Sequence, residues 1–395
     1  MDAKHKKLLR ERKELKKESQ QQTTSQSKHQ TTKTHSASSD DLELSEFAKN
    51  SKVHTFFDKH YKHLLIVTFL ITLSCLAVIL HSYVTTGEVF NKGVSLSGGI
   101  TFTVSTQDKP VDIIQIEELL RKTHPKNDLA IREISDFGTQ RGFSIEASTA
   151  LGEKQTLPEL SKAITNTLRT SIPDIDKRIS IEETGPSLGA SFFEQTIKAV
   201  LIAFVCMGLV VFLYFGDTYL QKAIVILMSF AEMMLIWYAN NWLISIIAII
   251  MGILLFIAYI KYSIPSTAVI IAAASTIIFT IAVVDLIGMR ISTAGIAAFL
   301  MLIGYSVDTD ILLSTRVLKN TAGTVYDRTM STLGTGLTMT GATFAAAFIS
   351  YLFTQSEVIK EIMLIICIGL VADIYNTWIQ NAGILRWHLE SKGKK

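Results

Sequence analysis

The sequence is poor in the residues that metal and redox chemistry require. It has three cysteines in 395 residues, and Cys75, Cys206 and Cys367 each fall within a long apolar run with no ligand spacing between them. That arithmetic gives no basis for a disulfide, a metal site or a catalytic thiol, and the three read as small packing residues. The longest segment between apolar runs, residues 85–194, holds no Ser/His/Asp or Cys/His set and no glycine-rich phosphate loop. Its acidic pairs, Glu117 with Glu118 and Glu182 with Glu183, are of the kind that an amphipathic helix or an edge strand presents to water. No enzyme activity, cofactor or metal is expected. Charge of one sign is scarce too: 38 Lys and Arg against 35 Asp and Glu leave a net +3. The basic residues are accounted for by membrane topology, so no nucleic-acid partner is expected.

What the chain has in quantity is apolar length. Hydrophobic residues make up 48% of it, with only six prolines and a mean hydropathy of +0.33, which is the composition of a polytopic membrane protein. A hydrocarbon core about 30 Å thick takes roughly 20 helical residues to cross. Eight stretches qualify, at about residues 63–84, 195–215, 219–239, 242–260, 266–287, 292–316, 329–353 and 362–387. The first lies behind some sixty polar residues and lacks a small-residue cleavage site in a fitting position, so it is expected to be an anchor.

Basic residues set the orientation. The N-terminal "KHKKLLRERKELKK", the tail "RWHLESKGKK", and the loops around Lys222, Lys261 and residues 316–319 fall on one side if the spans number eight. Arg290 and Lys360 fall on the other. The richer side is cytoplasmic by the positive-inside rule, which puts both termini inside and residues 85–194 outside. The expected organisation is a basic arm over residues 1–60, a first span over 61–84, an external domain over 85–194, a helical bundle over 195–388 and a basic cytoplasmic tail over 389–395. The Gln/Ser/Thr-rich stretch that follows the first basic residues cannot bury enough apolar surface to order itself and reads as a largely disordered tether, with the basic arm against lipid headgroups.

Within the external segment, "SLSGGITFTVST" alternates as a strand does, "DIIQIEELLRKT" has helical periodicity, and "LAIREISDF" and "RGFSIEAST" read as a strand pair. "LPELSKAITNTL" is helical and "RISIEETG" is a final strand. The order βαββαβ is that of a ferredoxin-like α+β domain. Gly98 and Gly99 lead into it, and Gly185, Pro186 and Gly189 lead out, as turn punctuation or as a hinge between domain and membrane.

Functional interest centres on "LIGYSVDTDILLSTRVLKN", residues 302–320, where Asp308 and Asp310 interrupt an apolar span. With a helix starting near Ser292, Asp308 lies about 24 Å in and Arg316 about 36 Å in. Each central Asp costs roughly 2.5–3.5 kcal/mol on insertion, against about 0.3–0.6 gained per Leu or Ile, so such groups need a protein-lined or wet environment. Two residues apart on a helix is about 200° of rotation, so the carboxylates face different ways. Asp308 goes with Tyr305, Leu312 and Thr315, and Asp310 with Ser306 and Ser314. A desolvated carboxyl that binds and releases protons suits a proton-coupled transporter; the plainer reading is that these groups fix helix packing. Asp373, Asn376 and Gln380 share a face of the last span, with Thr377 and Asn381 beside them. Thr332, Thr335, Thr338 and Thr343 sit among glycines in a closely packing helix. Glu232 and Asp285 are lone intramembrane acids.

These residues carry a resemblance. "LIGYSVDTDILLSTRVLKN", "TGPSLGASFF", "SGG" after the first span, "STAGIAAFLM" and "NTWIQNAGILRW" together resemble the SecF family of the SecD/SecF complex, and its archaeal branch most, over about residues 61–390. The resemblance implies a half-transporter of the resistance-nodulation-division superfamily in the plasma membrane. Such a protein pairs with a SecD-like subunit, works beside the SecYEG channel and uses proton-motive force to help a translocating polypeptide across. It also implies that Asp308 or Asp310 is the intramembrane acid of the GYS motif and that Arg316 is the basic residue ending that helix. Tyr305, Ser306, Thr309, Thr335, Asp373 and Asn376 are supporting polar candidates. Three departures stand out. The family's basic residue opposite the acid falls at Gly334, the nearest cation being Arg328; Ser95 stands where many bacterial members carry an acid; and residues 216–262 add a helical hairpin to the family's six spans. Two other readings accompany this one, an exporter half-unit for small molecules or lipids and a scaffold subunit without coupling.

Overall fold

In the computed structural model of the chain, the described residues are 52–106, 111–125, 127–136, 139–148, 156–172, 175–319 and 324–393. Most of the expected basic arm and tether lies outside them. Helix α1 runs Lys52–Thr86, beginning earlier than expected because no Gly or Pro separates its polar start from the apolar run.

A short helix α2 (Val94–Ser97) leads into β1 (Gly99–Ser105), α3 (Ile113–Thr123), β2 (Asp128–Asp136), β3 (Thr139–Ser148), α4 (Leu157–Ser171) and β4 (Ile179–Thr184). Asp112 caps α3 by accepting from the amides of Ile114 and Gln115, at 3.0 and 3.3 Å. Thr156 and Glu159 form a capping box at the start of α4, satisfying amides that have no partner within the helix. The strands make one antiparallel sheet in the order β2-β3-β1-β4, with Phe102 opposite Ile145 on one side and Ile181 on the other. Alternate residues Ile100, Phe102 and Val104 of β1 and Phe143, Ile145 and Ala147 of β3 are buried. They pack in one core with Ile116 and Leu120 of α3 and Leu160, Ile164 and Leu168 of α4. Each large apolar side chain taken out of water here contributes roughly 1.5–3 kcal/mol.

The helical part follows as α5 (Pro186–Phe215), α6 (Tyr219–Trp237), α7 (Trp242–Tyr262), α8 (Ile264–Leu286), α9 (Thr293–Lys319), α10 (Val325–Phe353) and α11 (Glu357–Tyr375). A π-helical turn, Asn376–Asn381, joins α11 to α12 (Ala382–Ser391). Seven helices among the described residues are long and apolar enough to cross a membrane: α1 from Lys59, and α5 to α10. The eighth expected span is helical throughout, but Glu357, Lys360, Glu361 and Asp373 make α11 too charged to join that class. The most enclosed of the seven are α8 and α9. The expected hairpin corresponds to α6 and α7, packed on α5 and α8 through Val225, Leu255, Tyr259, Leu209, Phe212 and Ile270.

The sheet domain and the bundle meet at closely fitted backbone. Gly98 has φ +82°, and a Cβ there would come within 2.5 Å of the Cα of Pro186; one on Gly189 would come within 2.6 Å of the amide of Gly98. The five glycine and proline positions expected as punctuation therefore lie together, where paired strands β1 and β4 join the helices. Ser95 accepts from the Thr293 amide at the start of α9 (3.2 Å), which gives Ser95 a capping role there. Arg290, just before α9, pairs with Asp128 at 2.7 Å and lies 3.8 Å from Glu146.

Small residues set the fit of α10. A Cβ on Gly336 would run into the indole of Trp378, whereas one on Gly334 meets open space. Gly336→Ala is expected to destabilise the fold by about 1–3 kcal/mol through overpacking, with Gly334→Ala near neutral, in thermal unfolding of the detergent-solubilised protein.

Candidate functional site

A carboxyl on an enclosed helix needs donors from its neighbours, and α9 supplies the carboxyl. Asp310 is 0% exposed, while Asp308, two residues before it, is exposed on the outer face of the same helix with Tyr305. The rotation between them thus divides the pair between the inside and the outside of this chain. Ser306 and Ser314, one turn either side of Asp310, are buried with it.

The π turn provides the donor. Asn381 Nδ2 donates to Asp310 Oδ1 at 2.8 Å and lies 3.4 Å from the Ser314 hydroxyl. Asn376, Thr377, Trp378, Gln380 and Asn381 are all buried. On a regular α-helix five such positions out of six would circle the axis; a turn widened to i→i+5 bonds shifts the register, and such turns recur at functional sites. One turn earlier, Asp373 is 1% exposed and accepts from the Thr377 hydroxyl at 3.4 Å. Asn376 Nδ2 donates to Thr276 of α8 at 3.0 Å. Helices α8, α9 and α11 and the π turn thus enclose one polar cluster, in which Asp310 and Asp373 are both buried and both bonded to side chains of the π turn.

The other expected polar residues lie elsewhere. Thr309 turns its hydroxyl back to the Tyr305 carbonyl at 3.3 Å. Arg316 is exposed and donates to the Thr335 hydroxyl at 3.3 Å. Arg328 donates to the Val317 carbonyl at 2.9 Å. The structure therefore joins Asp310, Ser306, Asp373 and Asn376, and separates them from Asp308, Tyr305, Thr309, Arg316 and Thr335. Asn381 is the residue whose part the sequence left undefined; the signal was the density of polar residues in "NTWIQN". Among the described residues no group of three or more His, Cys, Asp or Glu is placed to hold a metal.

Replacing Asn381 by Leu removes the donor to Asp310 and leaves a buried acceptor unpaired, at a cost of about 1–3 kcal/mol or more for a charged partner. Thermal unfolding in detergent is expected to register that loss, and Asn381→Gln to recover part of it.

Known proteins share this architecture. The family described as protein export membrane protein SecD/SecF, C-terminal, matches residues 163–239 and 235–391, the two matches meeting between α6 and α7. The chain is similar to the protein-export membrane protein SecF of Thermococcus gammatolerans, with 33% identity over 76% of this chain and 78% of that protein. It is 31% identical to the SecF of Methanothermobacter thermautotrophicus over 84% of this chain and 94% of the other. Among solved structures, SecDF from Thermus thermophilus, described as a translocon-associated membrane protein, superposes with a TM-score of 0.53 at 16% identity. That likeness is one of fold; it covers 84% of this chain, which spans 38% of the SecDF chain. On the family match and these relatives, the chain belongs to the SecD/SecF family of protein-export membrane proteins, on its SecF side.

Proposed function

We propose that this protein is a SecF-type subunit that pairs with a SecD-like membrane subunit and assists polypeptide translocation at a SecYEG-type channel. Its role is to couple proton-motive force to export through the carboxylates of α9. Family membership supports the export role. The observation that carries coupling is Asp310, a carboxyl 0% exposed within a membrane-type helix, since intramembrane acids are costly and mark ion pathways. Asp308, on the outward face of α9, is the acid available to a partner subunit, and a cation lacking at Gly334 is then the partner's to supply.

In the topology that goes with this reading, the chain crosses the plasma membrane eight times, α11 and α12 completing the eighth span inside the bundle. Both termini are cytoplasmic and the sheet domain is external. The βαββαβ order with strand order β2-β3-β1-β4 supports a ferredoxin-like domain. The hairpin α6–α7 is an addition to a six-span core, and an even addition leaves the sidedness of later helices unchanged. Gly98, Gly99, Gly185, Pro186 and Gly189 form the joint at which the domain turns on the bundle. The basic arm meets anionic lipid headgroups.

Export of a reporter in cells carrying Asp308→Asn or Asp310→Asn tests the coupling. At least one variant is expected to lose most proton-driven export while still copurifying with the SecD-like partner. Full export by both, with normal assembly, sinks the coupling reading and leaves a scaffold that only specifies packing. A solitary homo-oligomer in native membranes contradicts the partner assignment.

A further inference from the structure

The cluster around Asp310 holds two acids and no base. Asp310 Oδ1 receives Asn381 Nδ2 and Asp373 Oδ1 receives the Thr377 hydroxyl, while Oδ2 of both aspartates has no partner. The Asn381 side chain, held at Asp310 by its amide nitrogen and 0% exposed, leaves its own Oδ1 unpartnered as well. These orphaned atoms are acceptors, and the unpartnered donors of the same turn, Gln380 Nε2 and Trp378 Nε1, are neutral. A buried acceptor left unmatched costs free energy, and an unpaired buried charge costs more.

Among the described residues, no cation on a neighbouring element is bonded to them. On α9, Arg316 is turned to Thr335 and Lys319 to the Tyr214 hydroxyl at 3.0 Å. On α10, Arg328 holds the Val317 carbonyl; on α12, Arg386 pairs with Glu390 at 2.8 Å; on α5, Lys198 pairs with Glu194 at 2.7 Å. Lys360 of α11 is at the sheet-domain end of that helix, with Glu357 and Glu361, three turns or more before Asp373. The charged residue of α8 is Asp285, at its last turn, where it accepts from Asn91. The π turn has no charged residue, and His388 lies beyond it on α12. Of the remaining titratable side chains on α11, Tyr375 packs edge-on against Phe279 of α8 and Cys367 lies in the apolar core with Phe299 and Leu370.

We infer that Asp310 and Asp373 bind one proton between them. A shared proton lowers the buried charge from −2 to −1 and gives one orphaned oxygen a donor. Like charges at one site cannot readily both ionise, which is how paired carboxylates come to hold a proton. Asp373 is thereby a functional partner of Asp310, with Asn381 and Thr377 as the positioning residues that aim the two groups. The purpose of the site rests on the coupling proposed above; its chemistry does not.

Infrared spectroscopy of the full chain in lipid bilayers reads this directly, through the C=O stretch of a protonated carboxyl group titrated in potassium and in sodium buffers. The buried Glu232 of α6 contributes a band of its own, so the readout is the component that the double substitution removes: the wild type is expected to keep that component at a pH where exposed carboxylates have ionised, equally in both buffers, and Asp308→Asn is expected to keep it. The double variant Asp310→Asn/Asp373→Asn is expected to lose it, and each single variant to move its titration by about one pH unit, tenfold in proton affinity. A wild type without the band overturns the proposal, as does a band untouched by the double substitution, or one abolished by sodium, which would mean a metal cation in place of the proton. The wild-type titration in the two buffers decides even where a variant fails to fold. A band that behaves as expected beside undiminished export by Asp310→Asn would uphold the proton site and reject the coupling role alone.

Discussion

A carboxyl group enclosed by helices has no water to turn to, and the contact between Asp310 and Asn381 answers that constraint here. It requires α9 and the end of α11 to meet at one depth, which in turn requires a widened turn in the second helix. The π turn costs regular hydrogen bonding, and it converts the six residues Asn376–Asn381 into a wall of five buried side chains. Trp378 from the same turn presses on Gly336 of α10, and Asn376 reaches Thr276 of α8. Three helices are thus fixed around the acid by one irregular segment. Apolar contact alone drives helices together weakly in lipid, so close small-residue packing and interhelical hydrogen bonds have to supply the specificity.

At the far end of the same helix the demands are different. The start of α9 is held by groups from both parts of the chain: Ser95 accepts from Thr293, Glu361 accepts from the amide and hydroxyl of Ser292 at 2.7 and 2.8 Å, and Arg290 reaches Asp128 of the sheet. One helix therefore carries the buried acid at its middle and the docking contacts of the sheet domain at its beginning.

Much of this was legible in the sequence, and the exceptions have physical reasons. Alternation in "GITFTVS" and the periodicity of "IIQIEELLRKT" are local signals, and they mark β1 and α3 because a half-buried strand and an amphipathic helix each show their period directly. Apolar length likewise marks the spans, with ends off by a few residues where, as at Lys52, nothing breaks the helix. The opposite facing of Asp308 and Asp310 follows from helical geometry. Which of them faces inward does not, because that depends on what packs beside α9. The π turn was hidden for a related reason: its register change is a tertiary accommodation, visible in the sequence only as too many polar residues for one helical face. The part played by Asn381 was hidden with it. The charges of α11 blurred the last span, since acids such as Asp373 that the bundle encloses count against membrane residence when each helix is weighed alone.

The whole site depends on Asp310 being the inward acid of α9 and Asn381 being its donor. Solid-state NMR in lipid bilayers can measure it, as dipolar coupling between the Asp 13Cγ and Asn 15Nδ2 side-chain atoms of selectively labelled protein. The expected result is a hydrogen-bond contact between Asp310 and Asn381, lost in Asn381→Leu, with no such coupling from Asp308. Coupling of Asn381 to Asp308 instead, or to neither, would contradict the arrangement on which the site is built.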